Sequence, residues 1–457
     1  MYTLDDTIVA ISTPLGYGGI GIVRLSGPEA LGIARQLFRP AGRAWERGIE
    51  SHRLYYGHIV DPQTNRVVDE VLLSYMRAPH TYTRQDVVEI NAHGGIVPLR
   101  EILALCLRMG ARPAREGEFT LRAFLNGRID LAQAEAVLDV ISAKTEAALR
   151  VAIAQLSGRL SQRVRQVRSL LLKVLAYLEA TIDFPEEDIP PQDISPDLLQ
   201  AAQQLEELLQ ESDRGLIYRQ GVRTAIVGRP NVGKSSLLNV LLRAERAIVT
   251  PIPGTTRDTL EETINLQGIP FVLVDTAGII DETEDIIERL GIERSRRSLE
   301  QADLALVVFD GSEKPSEADH QVATLVGDRP AVVVVNKSDL PQASDYANLL
   351  PGAPHISVSA LTGEGIPKLE ELLIQVVLSG QVVTSEAPLA SNPRHRALFQ
   401  RALEHVREAL HALEEGLPLD LVSIDVTEAI DALGELTGET ASEELLETIF
   451  SNFCIGK

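Results

Sequence analysis

The apolar run Val222–Val227 leads directly into Gly228-Arg229-Pro230-Asn231-Val232-Gly233-Lys234-Ser235, and this stretch decides the fold of the middle of the chain. The spacing is G-x-x-x-x-G-K-S, placed between a buried strand and a helix that opens SSLLNVLL, the context that a phosphate-binding loop requires. Its glycines let main-chain N–H groups wrap an anion, and the helix N-terminus adds a favourable dipole. Lys234 then reaches the terminal phosphates and Ser235 ligates Mg²⁺, with Asn231, Val232, Gly233 and Ser236 completing the loop. The expectation is a doubly wound α/β nucleotide domain over residues 218–380.

Reading outward, the next pieces fall in the order such a domain needs. Pro253-Gly254-Thr255-Thr256-Arg257-Asp258 offers threonine hydroxyls to complete the magnesium shell. Thr256 is the expected ligand, by resemblance to translation-factor-like GTPases. Together with Thr250, Pro251 and Ile252, residues 253–256 form the first switch of the expected GTP site. Pro270–Val274 reads as a buried strand ending in Asp275-Thr276-Ala277-Gly278, where Asp275 holds magnesium through water and the Gly278 N–H senses the γ-phosphate. Strand Ala331–Val335 ends in Asn336-Lys337-Ser338-Asp339. A carboxylate at Asp339 accepts two N–H donors from a guanine edge, an arrangement adenine does not offer. Losing such paired contacts costs on the order of 10⁴-fold in discrimination. Lys337 would lie along the base and Asn336 would tie this loop to the phosphate loop. After strand Ile356–Val358, Ser359, Ala360 and Leu361 supply a main-chain donor for the guanine keto oxygen. The nucleotide is therefore GTP rather than ATP. The position after the Asp275–Gly278 motif is Ile279, which cannot orient water, and neither Arg229 nor Arg257 is marked as an arginine finger.

Bulk composition bounds the rest. With 457 residues the chain has room for about three domains. Apolar residues at 44% and charged residues at 24% allow each domain a core of its own. Two cysteines, Cys106 and Cys454, exclude a disulfide framework and suit a reducing compartment. The start MYTLDDTIVAIS lacks the pattern of a signal peptide, and no apolar run approaches the ~20 residues that span a bilayer, so a cytoplasmic location without membrane contact is expected. A net charge of −22 opposes non-specific nucleic-acid binding. Arg150, Arg159, Arg163, Arg165, Arg168 and Lys173 cluster locally and read as a solvated helix face.

Residues 1–118 mix strand-like runs (Thr7–Ile11, Gly21–Leu25, Glu70–Tyr75, Val87–Asn91) with helical patterns near Pro28–Leu37 and Val97–Met109, which predicts an α+β domain. From Leu131 to Ile182 the period is helical. Leu156, Leu160, Val164, Val167, Leu171, Val174, Leu178 and Ile182 form one continuous stripe. Ser195 as N-cap before Pro196 and Asp197 predicts a second helix to about Asp213, with Gly215 just past its end. Leu398, Ala402, Val406, Ala409 and Leu413 share a face that ends at Gly416, and Thr440 with Glu443 resembles a capping box for the last helix. A long helical stripe cannot bury itself. Residues 119–217 and 381–457 are therefore expected to form one all-α domain, split by the inserted nucleotide domain.

Over essentially its full length the chain resembles the bacterial tRNA-modification GTPase family MnmE (TrmE). The resemblance rests on Asp6–Ala10, Gly18–Arg24, His93-Gly94-Gly95, Arg112–Asn126 (RPAREGEFTLRAFLN), Asp130–Ala136, Asp183-Phe184-Pro185 and the terminal Phe453–Lys457. It implies an N-terminal dimerisation domain like folate-binding domains, a split helical domain and an inserted Ras-like P-loop domain. It also implies a potassium-activated GTPase, with K⁺ held by Asn231, Thr250, Ile252 and Thr255. Glu288 would position water, with Glu284 as second candidate. A tetrahydrofolate derivative would sit on Arg24, Glu89, Arg128 and Lys457; the family residue expected at 128 is lysine. Cys454 would take part in the modification as nucleophile or acid. The implied partners are tRNA, a second copy of the chain, and the flavin-dependent protein MnmG, which carries FAD. Together they would install a carboxymethylaminomethyl or aminomethyl group on the wobble uridine.

Two rivals stand beside this reading. A ribosome-assembly GTPase shares GRPNVGKS and PGTTRD, yet residues 381–457 show no GXXG clamp. A pure GTPase switch leaves the cysteine tail unexplained. Neither predicts folate binding. Two further motifs are set aside. Gly16-x-Gly18-x-x-Gly21 continues as a strand, unlike a dinucleotide loop, and Glu186-Glu187-Asp188 reads as a solvated loop.

Overall fold

The computed structural model describes residues 4–42, 48–184, 189–243, 262–274, 296–343, 346, 348–378 and 388–457. The chain divides into two compact units. Met1–Leu138, Leu156–Leu175 and Val426–Lys457 form the first, and Asp139–Gln155 with Ala176–Asp425 the second. Helical segments occur in both.

The first unit is built on a seven-stranded sheet with the order β3-β4-β5-β6-β2-β1-β7. Its strands are β1 Ile8–Ile11, β2 Gly18–Ser26, β3 Phe38–Pro40, β4 Arg53–Val60, β5 Val67–Met76, β6 Val87–Gly94 and β7 Arg112–Pro113. Alternation puts Val23, Leu25, Leu73, Tyr75, Val88 and Ile90 on one face, buried with Ile33 and Leu37 of helix Ala30–Leu37 and with Leu99, Ile102 and Leu105 of helix Ile96–Arg108. On the opposite face Tyr56 pairs with Leu72, and both are exposed, as is Leu54 two residues away. The α+β expectation holds, with β3, β4 and β7 as added strands.

The second unit holds a six-stranded sheet ordered β13-β12-β11-β8-β10-β9. These are β8 Val222–Val227, β9 Glu262–Leu266, β10 Ile269–Val274, β11 Leu304–Asp310, β12 Ala331–Asn336 and β13 His355–Ser357. All pairings are parallel except β9 with β10. Successive residues of β11 face opposite cores: Leu306 and Val308 lie in one, Val307 and Phe309 in the other. Burial on both faces is why β10, β11 and β12 read as nearly unbroken apolar runs. The doubly wound expectation is met.

Several helix boundaries differ from the sequence expectation. The long stripe begins later: Leu156 closes helix Glu146–Leu156, a turn through Ser157 and Gly158 follows, and helix Arg159–Asp183 carries the rest. Ile182 is exposed rather than part of the buried stripe. The next helix, Ser195–Gln220, is capped from outside, because the Asp193 carboxylate accepts the Ser195 N–H at 3.0 Å. Gly215 does not end it. A Cβ there would lie 1.7 Å from the Ala390 carbonyl oxygen, so the glycine lets the chain before helix Pro393–Glu414 pack closely. The last helix, Glu443–Phe450, is capped by Ser442, whose hydroxyl accepts from Leu445 N–H, while the Thr440 hydroxyl donates to the Asp431 carbonyl. Helix Leu419–Thr437 was not anticipated. Residues 186–188 lie outside the described residues.

Candidate functional site

In the second unit the phosphate loop joins β8 to helix Lys234–Arg243 at the carboxyl edge of the parallel strands, where doubly wound sheets bind ligands. Asn231 has φ +64 and Gly233 φ +95. A Cβ on Gly233 would stand 2.2 Å from the Asn336 side-chain amide, so only glycine admits that group. Lys234 Nζ donates to the carbonyls of Gly228 and Arg229 at 3.0 and 2.9 Å, which curls its ammonium over the loop's own backbone. Arg229 turns to the helix Glu317–Val326 side, paired with Glu313 and with fully buried Asp319 at 3.3 Å.

The loops after β12 and β13, which the sequence expects to read the base, are stitched to this loop. Asn336 donates through Nδ2 to the Val232 carbonyl at 2.8 Å and accepts the Ala360 N–H through Oδ1 at 3.0 Å. One side chain thus spans phosphate loop, base loop and the loop after β13. The Ser359 hydroxyl donates to Asp339 Oδ1 at 2.6 Å and also accepts the Thr362 N–H. Asn231, Val232, Gly233, Lys234, Asn336, Lys337, Asp339, Ser359 and Ala360 therefore belong to one connected set, and exposed Leu361 follows directly. The switch residues 250–256, the run Asp275–Gly278, and Arg257, Ile279, Glu284 and Glu288 lie outside the described residues.

A second cluster lies in the first unit. Arg24 and Glu89 face each other across β2 and β6, with Nε to Oε1 at 2.8 Å. Arg24 also donates to the Gly456 carbonyl at 3.2 Å and lies over the Phe119 ring at 5.6 Å. The C-terminus folds onto this corner. Ile455 bridges to Glu116, and the Phe119 N–H donates to the Lys457 main-chain oxygen at 3.2 Å. Gly456 has φ +94, and a Cβ would meet the Ile11 carbonyl oxygen at 2.6 Å. Arg128 stacks on Tyr82 at 4.8 Å, and the Tyr82 hydroxyl is 2.9 Å from that of Thr120. Burial pushes the Tyr82 phenol up, against the lowering effect of Arg128 and Arg24.

Helix Glu118–Leu125 supports this corner. Arg122, 1% exposed, binds the carboxylates of Asp6 and Glu118 and the side chain of Gln85. Arg112 reaches the same two carboxylates at 2.7 and 2.6 Å. Burial raises both carboxyls, and the two guanidiniums outweigh it and hold them below their ordinary values. In the sequence the network shows only as scattered charges, because Asp6 and Gln85 lie far from Arg112–Arg122 along the chain. The cysteines separate clearly. Cys106 is buried and its thiol is pushed up to about 12 by desolvation, whereas Cys454 is exposed. Arg165 and Arg168 of the basic cluster are tied to Asp130 and Glu439.

The comparisons with known proteins converge. Residues 7–128 match the family model "GTP-binding protein TrmE N-terminus", and residues 131–454 match "MnmE helical domain". A tRNA modification GTPase MnmE of Chloroflexus aurantiacus is 52% identical over 463 residues, covering 99% of this chain and 100% of that relative. The proteins of the same name from Heliobacterium modesticaldum and Roseiflexus castenholzii are 51% and 50% identical, covering 99% of this chain and 100% and 99% of theirs. With both family models matched in sequence order and identity near one half along the whole chain, it belongs to the MnmE (TrmE) family of tRNA modification GTPases.

Proposed function

We propose that this GTPase, an enzyme of tRNA modification by its family, is activated by potassium and uses a tetrahydrofolate one-carbon unit. With the flavin-dependent partner MnmG it builds the carboxymethylaminomethyl or aminomethyl group of the wobble uridine. The observation that carries this reading is the presence of two separate sets of groups on one chain. One is a guanine-type base loop locked to a phosphate loop by Asn336. The other is a corner where Arg24, Glu89 and the Gly456-Lys457 tail meet.

In this proposal Ser235 and Thr256 hold Mg²⁺, which shields the phosphates, and Asp275 acts on it through water. Asn231, Thr250, Ile252 and Thr255 hold K⁺, supplying the positive charge an arginine finger brings elsewhere. The pairing of Arg229 with Glu313 and Asp319 supports a non-arginine source. Glu288 positions water, with Glu284 as second candidate. Arg24, Glu89, Arg128 and Lys457 hold the folate derivative, the cations Arg24, Arg128 and Lys457 offering donors and the Glu89 carboxylate an acceptor. The exposed thiol of Cys454 fits a part in the chemistry, as nucleophile or acid. The exposed Leu54, Tyr56 and Leu72 on the open sheet face support a homodimer through the N-terminal domain. The domain plan is 1–118, a helical domain from 119–217 and 381–457, and the GTPase domain 218–380. Among the described residues no helix is long and apolar enough to cross a membrane. A cytoplasmic site of action is part of the proposal.

The test is GTP turnover in K⁺ and in Na⁺ buffer, with light scattering on GDP–aluminium fluoride. Faster turnover and association only in K⁺ is the expected result. Equal slow turnover in both would leave a GTPase without cation activation and favour a binding switch.

A further inference from the structure

Asp310 ends β11 and stands in register with Asn336 at the end of β12. Its side chain is 3% exposed, yet both carboxylate oxygens are occupied. Oδ1 accepts the Ser312 N–H at 3.0 Å and the Ser312 hydroxyl at 2.6 Å, and Oδ2 lies 2.6 Å from Lys337 Nζ. The Tyr346 hydroxyl donates to the Asp310 carbonyl at 2.8 Å, and its ring stacks on Phe309 at 5.0 Å. Lys337 has φ +65, a left-handed conformation that a non-glycine residue keeps only when its surroundings impose it. Burial alone would raise the Asp310 carboxyl. The bonds from Lys337 and Ser312 outweigh it, so the pair is ionic.

Asn336 and Asp339, the other polar side chains of this loop that face the nucleotide in our reading, are each anchored by a hydrogen bond. Lys337 has the most rotamers to lose, because its four-carbon stem must lie along a planar base. A buried carboxylate at the far end of that stem removes this freedom before any ligand arrives, which favours binding through preorganisation.

We propose that Asp310 is a positioning residue for guanine recognition, acting through Lys337. The inference rests on reading this site as a guanosine-nucleotide site. Because the base is unchanged between GTP and GDP, Asp310 contributes to both affinities alike and leaves the chemical step alone.

The experiment measures binding of fluorescent GDP and a fluorescent non-hydrolysable GTP analogue, with steady-state GTP turnover, on the full chain. The variants are D310N, K337M, the double variant and S312A. D310N is expected to weaken both nucleotides on the order of tenfold to a hundredfold, the weight of one hydrogen-bonded charge. The rate at saturating GTP should stay within about twofold. In the K337M background, adding D310N should change affinity by less than about twofold. S312A, which cuts the local turn and keeps the ion pair, should bind like wild type. An equal loss from D310N with and without Lys337 would overturn the proposal, as would wild-type affinity in D310N. Should D310N not fold, S312A and K337M decide: S312A costing as much as K337M overturns it, and S312A neutral beside a weakened K337M supports it. Failure of the wild type to bind guanine nucleotide would instead sink the reading of the site.

Discussion

The base loop and the C-terminal corner are held together in opposite ways. At the base loop, Asn336, Lys337 and Asp339 sit within four residues of chain, and each is fixed by a partner on a neighbouring strand end or loop. The corner is assembled from Arg24, Glu89, Phe119 and Gly456, far apart in sequence, with its charges half-buried and its last strand-like contact a single bridge at Ile455. A site that must distinguish one base from another gains from rigid local geometry. On the proposed reading the corner must instead meet a large substrate, and its tail is tied down from distant segments by Arg24, Glu116 and Phe119.

The largest effect is expected from Asp339→Asn in the base loop. If Asp339 reads the guanine edge as proposed, this swaps half of its acceptor for a donor, so affinity for GDP should fall on the order of 10⁴-fold. A xanthine nucleotide, with a carbonyl in place of the amino group, should recover part of it. Competition binding measures both, and unchanged GDP affinity would contradict the assignment.

On the other side, Arg122→Leu removes the buried cation shared by Asp6 and Glu118. The cost should be about 3 kcal/mol in the stability of the first unit, the low end for a broken buried pair, because Arg112 still holds both carboxylates. Denaturant unfolding reads it, and nucleotide affinity should not change. Gly456→Ala is gentler. Its φ of +94 and the approach of Ile11 strain the tail by roughly 1–3 kcal/mol. Limited proteolysis should then reach the C-terminus sooner, with GTP turnover intact.

The smallest effect is in pH. The folded Asp6 and Glu118 carboxyls lie below their ordinary 3.8 and 4.5. Their contribution is therefore complete above about pH 4.5 and is lost as pH falls through the lowered folded values. Acid unfolding of the first unit should shift to higher pH in Arg122→Leu, and an unshifted curve would count against the network.

The same contrast explains what sequence could and could not disclose. The phosphate loop and the Asn336–Asp339 motif are contiguous, so their residue types and spacing carry the geometry. Asp310 is a single acid at a strand end, and nothing local ties it to Lys337. Arg122 likewise looks like a solvated helix charge until Asp6 and Gln85, in the segments that lead into β1 and β6, close on it. Gly215 was misplaced for a related reason: a glycine near a helix end reads as a stop, and only the packed Ala390 shows that the glycine serves contact. At the last helix, Thr440 and Ser442 both carry capping hydroxyls, and tertiary context chose the second.

If GTP hydrolysis and a modification corner at the tail are separate on this chain, one can be lost without the other. The most direct measurement compares wild type with Cys454→Ser for GTP turnover and, with the partner enzyme, tRNA and folate present, for wobble-uridine modification. Wild-type turnover and no modification are expected. Loss of both activities, or modification at the wild-type rate, would contradict the separation.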